Sequence, residues 1–509
     1  MTPKNFACMR FNIANLMLTS TLFHYGYRLW LPAFFRVATI KPDMKRTMLL
    51  SIVTLFSGTS LCQEITSNKK VTTITPVSTA NINLTFFYSD QFNDTDGPFT
   101  ISNGQTKRKL SLAKPALLFN AATGIPFYIL PGEELQITST NGEIHLTGPS
   151  KERTNELAFF LEFDKNYPEY FKTNAAISLG KRLYAVTYPA AEKFENHKKA
   201  KGLSFLEQYR KNHPVTEAFY EYAKQFFHYL RLANLFSILS SATTQIKNPP
   251  AFNANKDVLL NKDYQCDSCV DNTIYRMSAY AYRQYLVKKL KTQSATYLEN
   301  TFNVTDSYFK GITKEFLLFI TLKEQLGKGL KYDDPYYLKY LNSQNNNNNA
   351  YVEYLKQEIA MKNLTSTKNE LVSFHNTTTN WDALIAKHRG KMIYIDIWAS
   401  WCLPCRKELP NTKKLGQSYK PEQLSIIYIS ADQKYSAWQN AAKSEDINTG
   451  NSFIINDFKN SELNKKFKIG SLPRYLLFDR NGNVIDEHAP VPSSAELKKM
   501  IDKYLGTPK

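Results

Sequence analysis

Two cysteines spaced as C-x-x-C carry the chemistry that this sequence encodes most clearly. Cys402 and Cys405 follow the apolar, β-branched and aromatic run 393–398, which is the pattern of a buried strand. Pro404 lies between them, and proline is tolerated in the first turn of a helix because its missing N–H would have no partner there. We therefore expect a strand, a short turn and a helix that begins at the cysteines.

This position would favour thiol chemistry. A cysteine at a helix N-terminus is close to unpaired backbone N–H groups and to the positive end of the helix dipole, which stabilise its thiolate. Cys402 is predicted to be the nucleophile, and Cys405 would resolve the mixed disulfide. The structural alternatives are a permanent disulfide or half of a zinc site. No matching second pair of zinc ligands lies nearby in the sequence, so we predict no metal and no cofactor.

A longer motif surrounds the cysteines and supports a family resemblance. The sequence from Asp396 to Pro410 reads D-x-W-A-x-W-C-x-P-C-R-x-E-x-P. It resembles the thioredoxin-like fold and, within it, the TlpA-like thiol-disulfide oxidoreductases of bacterial envelopes. The resemblance covers the C-terminal domain, 366–509, and implies an α/β fold with a redox-active disulfide between Cys402 and Cys405.

The resemblance also implies a substrate-binding element at Gly470-Ser471-Leu472-Pro473. The matching proline of the fold is cis and faces the cysteine pair, so we expect Pro473 to be cis. The backbone of Leu472 would then pair with an extended substrate beside Cys402. Trp398 and Trp401 are expected to shape an apolar rim against which that substrate lies.

Two acidic residues are candidates for tuning the thiols. Asp396 lies in an otherwise apolar strand, and a lone buried carboxylate is costly and should have a raised pKa. This suits a group that accepts the proton of Cys405, and the matching family position carries such an acid. The alternative is that Asp396 faces solvent or is satisfied by a neighbour. Glu408, one turn after Cys405, either tunes the thiols or is simply exposed.

The order of elements around the motif is that of the resembled fold. Strands are predicted at 391–398 and 424–429 with the helix from Cys402 between them. An Asn-Gly turn at 479–483 joins two further short strands, and a last helix spans about 494–505. His388 is expected to be a solvated turn residue before the first of these strands.

Length and composition bound the rest of the chain. At 509 residues, with 43% hydrophobic and 21% charged residues, the chain should be globular with several domains. The formal net charge is +19, but Lys and Arg are mixed with acidic residues along the chain. Nucleic-acid binding would call for a concentrated basic stripe, so no nucleic-acid partner is predicted.

The N-terminus has the features of an export signal. A basic start at Met44, a short apolar run and a tail of small residues predict a signal peptide at 44–62. Residues 1–43 are then an over-called start or an extra leader, although a membrane helix at 11–35 is a rival interpretation. Cys62 raises lipoprotein anchoring, but Leu61 departs from the small residue that a lipobox needs. We predict a periplasmic location, with anchoring through the N-terminus or Cys62 as the alternative.

Two modules are predicted between the leader and the C-terminal domain. Residues 70–148 contain short alternating runs and turn residues, which indicate a β-sandwich-like domain. Residues 150–365 carry aromatic residues at helical spacing and indicate an α-helical domain. A second pair, Cys266 and Cys269, lies in a polar loop of the latter domain. A structural disulfide is favoured there over a second redox pair, because flanking acids oppose thiolate formation.

These features predict an exported thiol-disulfide oxidoreductase that reduces disulfides of envelope proteins and is re-reduced by a membrane electron donor with thiol groups. Leu403 and Pro404 do not decide between a reductase and a disulfide oxidase or isomerase. A non-enzymatic alternative is a binding protein that uses the C-terminal domain as a platform for its partner.

Overall fold

The computed structural model describes residues 69–77, 82–102, 107–140, 143–172, 188–240, 261–290, 296–343, 350–364, 371–455 and 457–506. The predicted leader, the signal peptide, the rival membrane helix and Cys62 lie outside these ranges. Across the ranges that are described, no helix combines the length and the apolar character needed to cross a membrane.

The first module consists of two four-stranded sheets. One has the order β4-β1-β7-β8 and the other the order β3-β2-β5-β6. Their strands are β1 Lys70–Pro76, β2 Asn83–Ser89, β3 Thr95–Ser102, β4 Arg108–Leu112, β5 Ala116–Asn120, β6 Pro126–Ile129, β7 Glu134–Thr140 and β8 Glu143–Thr147. Burial alternates along the edge strands β4 and β8, and in β4 Leu110 and Leu112 are buried between half-exposed or exposed neighbours. Such alternation packs the sheets on a shared core.

Helices follow the sheets. They are Lys151–Asn166, Glu169–Lys172, Tyr188–Asn212, Glu217–Ser240, Thr273–Lys289, Tyr297–Tyr308, Gly311–Leu326, Pro335–Asn342 and Ala350–Leu364. Several begin with a side-chain cap: Asn272 accepts from the N–H of Ile274, and Asp334 precedes Pro335 and accepts from the N–H of Tyr336. Such caps satisfy backbone donors that the helix leaves unpaired.

The helical core is aromatic and continues into the sheets. Phe159, Phe219 and Tyr282 are buried in one cluster with Phe87 and Phe119 of the first module. The two modules therefore share a hydrophobic core instead of being joined only by a linker.

The C-terminal domain is a seven-stranded sheet with helices around it. Its strand order is β10-β9-β13-β12-β11-β14-β15. Its elements are β9 Leu371–Ser373, β10 Thr378–Thr379, helix Trp381–Lys387, β11 Met392–Trp398, helix Leu403–Gln417, β12 Leu424–Ser430, helix Tyr435–Ser444, β13 Ser452–Ile455, helix Glu462–Phe467, β14 Arg474–Phe478, β15 Val484–Asp486 and helix Ala495–Gly506. β11 lies inside the sheet, parallel to β12 and antiparallel to β14.

Buried charges join this domain to the first module. Arg406 contacts Asp96 of β3, and Glu445 contacts Arg108 of β4. These contacts place the first module directly against the helix that begins after Cys402.

Candidate active site

The cysteine pair lies at the start of the helix Leu403–Gln417, which follows strand β11 and is called the active-site helix below. Cys402 is the N-cap of this helix and is joined to Cys405 by a disulfide. The backbone N–H of Cys405 donates to Sγ of Cys402 over 3.2 Å. Cys402 is 4% exposed and Cys405 is fully buried. The helix thus directs unpaired N–H groups toward the more accessible sulfur, an arrangement that stabilises a thiolate.

The two tryptophans of the motif have different surroundings. Trp401 is 59% exposed beside Cys402, so a large apolar side chain borders the accessible sulfur. Trp398 is fully buried in the cluster that contains both cysteines. The expectation that Trp398 shapes the rim is therefore wrong, because it is the last residue of a strand buried on both faces.

The segment opposite the cysteines begins at Leu472. The peptide bond between Leu472 and Pro473 is cis, and Leu472 packs against the same apolar cluster as the cysteines. Pro473 is half-buried and directly precedes β14, whose Arg474 lies opposite Ile397 of β11. The sheet register therefore brings this segment to the end of β11 from which the cysteines follow.

Asp396 is a fully buried carboxyl in the middle of β11. Thr412 of the active-site helix donates its hydroxyl to one carboxyl oxygen over 2.8 Å, and the other oxygen has no hydrogen-bond partner among the described residues. Burial raises the pKa of Asp396 to about 7, against the lowering effect of Thr412 and with a small contribution from Glu408. A carboxyl with such a pKa can take up or release a proton near neutral pH.

Glu408 holds the C-terminal loop. Its carboxylate accepts from the backbone N–H and from the hydroxyl of Ser493, both over 3.1 Å. It is half-buried, and its negative charge helps to raise the pKa of Asp396. Glu408 thus joins the active-site helix to the C-terminal loop, and its charge acts on Asp396.

Residues that the sequence analysis gave no role hold the cysteine loop. The backbone N–H and hydroxyl of Ser400 both donate to buried Asp432, over 2.9 and 2.6 Å. Arg406 donates to the backbone oxygen of Ser400 over 3.1 Å. The role of Arg406 could have been predicted from its position directly after Cys405. The role of Asp432 could not, because Asp432 lies on a different loop and no local motif indicates it.

The second cysteine pair lies in the helical module, far along the chain from Cys402 and Cys405. Cys266 and Cys269 form a disulfide just before the helix Thr273–Lys289, with Cys269 buried and Cys266 partly exposed. Between them, Asp267 accepts from the N–H of Ile312 over 2.8 Å. This loop therefore attaches to the start of the helix Gly311–Leu326. In the described part of the chain, no group of three or more His, Cys, Asp or Glu residues is placed to hold a metal ion.

Comparison with known proteins finds a family model that matches the region of this site. Residues 390–484 match a family model described as Thioredoxin-like. The C-terminal domain is thioredoxin-like. The match runs from just before β11 to the start of β15 and includes both cysteines and Pro473.

Relatives of this domain carry redox names. The thiol-disulfide oxidoreductase ResA of Bacillus thuringiensis is 31% identical over 117 residues, which are 23% of this chain and 63% of ResA. The thioredoxin-like protein YneN of Bacillus subtilis is 24% identical over 156 residues, 30% of this chain and 87% of YneN. The chain thus spans less than two thirds of ResA, and the matches leave most of this chain outside them.

A solved structure covers the same part of the chain. A thiol-disulfide oxidoreductase from Bacteroides fragilis is 22% identical to this chain, with a TM-score of 0.24. The overlap covers 27% of this chain and 98% of that one. At this TM-score the overlap adds nothing to the sequence match.

Proposed function

We propose that this protein is a thiol-disulfide oxidoreductase that reduces disulfides of exported proteins through the Cys402–Cys405 pair. The observation that carries the proposal is the position of Cys402 as N-cap of the active-site helix, where its sulfur accepts from the N–H of Cys405. A structural disulfide would not need its more accessible sulfur at a helix N-terminus beside an exposed tryptophan.

The reaction transfers two electrons. In the reduced protein, the Cys402 thiolate attacks one sulfur of a substrate disulfide, and the other substrate sulfur leaves as a thiolate and takes up a proton. Cys405 then loses its proton and attacks Sγ of Cys402, which releases the second substrate thiolate. The substrate disulfide is reduced to two thiols, and the protein is left with the disulfide that the structure contains.

Asp396 would accept the proton of Cys405. It is buried in the strand that precedes the cysteine loop. One of its oxygens has no hydrogen-bond partner in the described part of the chain, and its pKa is about 7. A base with a pKa near the working pH is suited to proton transfer. Thr412, on the same helix as Cys405, keeps the carboxyl oriented.

Substrate binding would use the surface around Cys402. An extended substrate would lie against Trp401 and pair with the backbone of Leu472, next to Pro473. A membrane protein with a reactive dithiol would return the electrons, and the signal peptide at 44–62 would deliver the protein to the periplasm. The resemblance to TlpA-like proteins and the names of the ResA relatives support this assignment.

The decisive measurement is the reduction potential of the Cys402–Cys405 pair in the full chain, with Cys266 and Cys269 replaced by Ser. Equilibration in thiol buffers should give a value near or below about −250 mV, as for thioredoxin. A value nearer about −120 to −180 mV would indicate a disulfide oxidase or isomerase instead. A pair that does not exchange at all would leave the binding-platform hypothesis.

Trapping separates the roles of the two cysteines. The Cys405→Ser variant should accumulate mixed disulfides with substrate proteins, since nothing resolves them. The matched Cys402→Ser variant should accumulate far fewer, because Cys405 is fully buried. Equal trapping by both variants would contradict the assignment of Cys402 as nucleophile.

A further inference from the structure

Four buried charges form a cluster at the active-site helix. Arg406 donates from Nε to Glu445 over 2.7 Å and from Nη1 to Asp96 over 2.8 Å. Arg108 lies 2.8 Å from the same oxygen of Glu445. Both arginines also donate to the hydroxyl of Ser444. Two guanidinium groups and two carboxylates thus balance in one place.

The cluster is assembled from two modules. Arg406 and Glu445 belong to the thioredoxin-like domain, whereas Asp96 and Arg108 come from strands β3 and β4 of the first module. All four side chains are at most 7% exposed. Phe99 of β3 lies against both guanidinium groups, 4.2 Å from that of Arg108 and 5.5 Å from that of Arg406.

Burial makes the charge balance important. Although burial alone would raise the pKa of Glu445, Arg108 and Arg406 lower it. Burial likewise opposes the charge of Arg406, yet Asp96 and Glu445 keep its pKa above the usual value. Removing one partner would leave an uncompensated charge where water screens it poorly.

The cluster contacts the cysteine loop directly. Arg406 follows Cys405, its backbone N–H donates to the oxygen of Cys402 over 3.0 Å, and its side chain donates to the oxygen of Ser400 over 3.1 Å. Two further ionisable residues contact the loop or the cluster: Asp432 accepts from the N–H of Ser400, and Lys413 donates to the backbone oxygen of Glu445. A change of charge at Arg406 therefore acts within the loop that carries the nucleophile.

We propose that the first module sets the reactivity of the cysteine pair, with Asp96 and Arg108 as positioning residues that balance the charge of Arg406 beside Cys402. This inference rests on the proposed function and adds a regulating element to the same site. It gives the β-rich module a role in redox chemistry although it contains neither active-site cysteine.

The proposal predicts opposite effects from the two positioning residues. Asp96→Asn removes a negative charge and leaves the loop more positive, which stabilises the Cys402 thiolate. Arg108→Gln removes a positive charge and destabilises that thiolate. Since a stabilised thiolate favours the reduced pair, the two variants should shift the glutathione equilibrium in opposite directions.

Two readouts in the full chain test this, with Cys266 and Cys269 replaced by Ser throughout. The first is the rate at which iodoacetamide alkylates Cys402 in the reduced protein at slightly acidic pH. The second is the equilibrium constant for oxidation of the pair by glutathione disulfide. Asp96→Asn should raise the alkylation rate and lower the oxidation constant, each by about threefold, and Arg108→Gln should do the reverse.

The same interface offers matched controls. Lys109 and Asp446 join the same two modules over 2.9 Å, but their side chains are 47% and 50% exposed. Lys109→Gln removes a positive charge and Asp446→Asn a negative charge at the same boundary, as the two buried variants do, but at exposed positions. Water screens these charges, so both readouts should stay close to those of the parent protein. Arg108→Lys keeps the charge and should also stay close.

The outcomes separate this inference from the proposed function. Opposite shifts that return toward the parent value in the Asp96→Asn, Arg108→Gln double variant support it. If the parent protein still exchanges disulfides, the inference is overturned when both variants shift the readouts in the same direction. It is also overturned when neither variant shifts them more than the exposed controls do. If Arg108→Gln does not fold, Asp96→Asn must still exceed Asp446→Asn in alkylation rate. A parent pair that does not exchange refutes the proposed function itself.

Discussion

The chemistry of single residues centres on Asp396, a carboxyl that the fold keeps away from water. The hydroxyl of Thr412 donates a hydrogen bond to this carboxyl. That single bond is too weak to offset the loss of hydration when the carboxyl is charged. The carboxyl is therefore half protonated near pH 7. Such a group can alternate between accepting and returning a proton as the cysteine pair cycles.

Replacing Asp396 by Asn should slow the resolution step. The amide keeps the shape of the side chain but cannot accept a proton, so release of a preformed mixed disulfide should slow by about 10²-fold. The measurement is the single-turnover release of glutathione from the Cys402 mixed disulfide. The rate of the first attack by Cys402, monitored through its alkylation, should change much less. Equal slowing of both steps would contradict a specific role in resolution.

Thr412→Val provides a graded test of the same carboxyl. Since the Thr412 hydroxyl lowers the pKa of Asp396, its removal should raise that pKa further. The pH midpoint of the resolution rate should then move upward relative to the wild type, whereas Asp396→Asn should abolish this midpoint. A midpoint that moves downward, or stays in the Asn variant, would assign the titration to another group.

Asp396 also makes stability depend on pH. Its folded pKa of about 7 lies above the usual value, so the folded protein binds more protons than the unfolded chain between about pH 4 and pH 7. Stability is therefore favoured at the acidic end of this window and falls as pH rises through 7. From pH 5 to pH 8, the free energy of unfolding of the oxidised wild type should fall by about 2.6 kcal/mol relative to that of Asp396→Asn, which calorimetry would detect as a relative fall in melting temperature.

The sequence predicted some of these residues and missed others for clear physical reasons. The cysteine motif is local, so spacing alone indicated a strand, a turn and a helix, and the family match confirms the thioredoxin-like fold there. His388 was expected to be solvated, yet it is 6% exposed and lies 2.8 Å from the hydroxyl of Ser425. Its burial depends on a strand 37 positions away, which no local pattern encodes.

At the scale of elements, the helix Tyr435–Ser444 depends on other modules at both ends. Its own N-cap, Lys434, makes no side-chain cap. Glu358 of the helix Ala350–Leu364 instead accepts from the N–H groups of Tyr435 and Ser436, over 3.3 and 2.8 Å. The other end leads to Ser444 and Glu445, which bind the two arginines. This helix is therefore positioned by both preceding modules.

Glu358→Ala should loosen this helix at its start. The change leaves two backbone donors without their acceptor, and loss of a cap costs about 1–2 kcal/mol. Hydrogen exchange should speed up at the amides of Tyr435 and Ser436, and the melting temperature should fall. Glu353→Ala is the matched control, since Glu353 lies on the same helix but is 38% exposed and bonded to Lys356.

Equal effects of the two substitutions would show that Glu358 contributes only to its own helix.

Local alternation and helical spacing indicate strands and helices well, because they depend on neighbouring residues. They could not reveal this cap, since Glu358 and Ser436 are 78 positions apart. A sequence pattern has no means of pairing an acid on one helix with the exposed donors of another.

The whole molecule is held by a second buried charge cluster, in which three modules meet. Asp94, just before β3, pairs with Lys323 of the helical module over 2.7 Å. Tyr354 donates to the other oxygen of Asp94 over 2.6 Å, and Ser436 of the thioredoxin-like domain donates to the same oxygen over 3.2 Å. Because the first two modules also share a core, the described modules should unfold together.

The Asp94→Asn substitution should uncouple the unfolding of these modules. Burial alone would raise the pKa of Asp94, but Lys323 and Lys434 lower it well below the usual value. Its charge therefore adds stability above about pH 4 that is lost as pH falls. At neutral pH the variant removes the carboxylate that contacts buried Lys323, and loss of one partner of a buried ion pair costs about 3–5 kcal/mol. Calorimetry should show a lower and broader transition that separates into two.

A boundary pair in water is the matched control for this prediction. Lys114 of the first module and Asp271 of the helical module lie 3.0 Å apart, with side chains 48% and 47% exposed. Asp271→Asn should change stability by less than about 1 kcal/mol, because water screens the charges of an exposed pair. The difference between the two variants should shrink below pH 4, where Asp94 loses its advantage over an amide. A difference that persists unchanged into acid would mean that the carboxylate charge does not join the modules, and that packing of their shared core does.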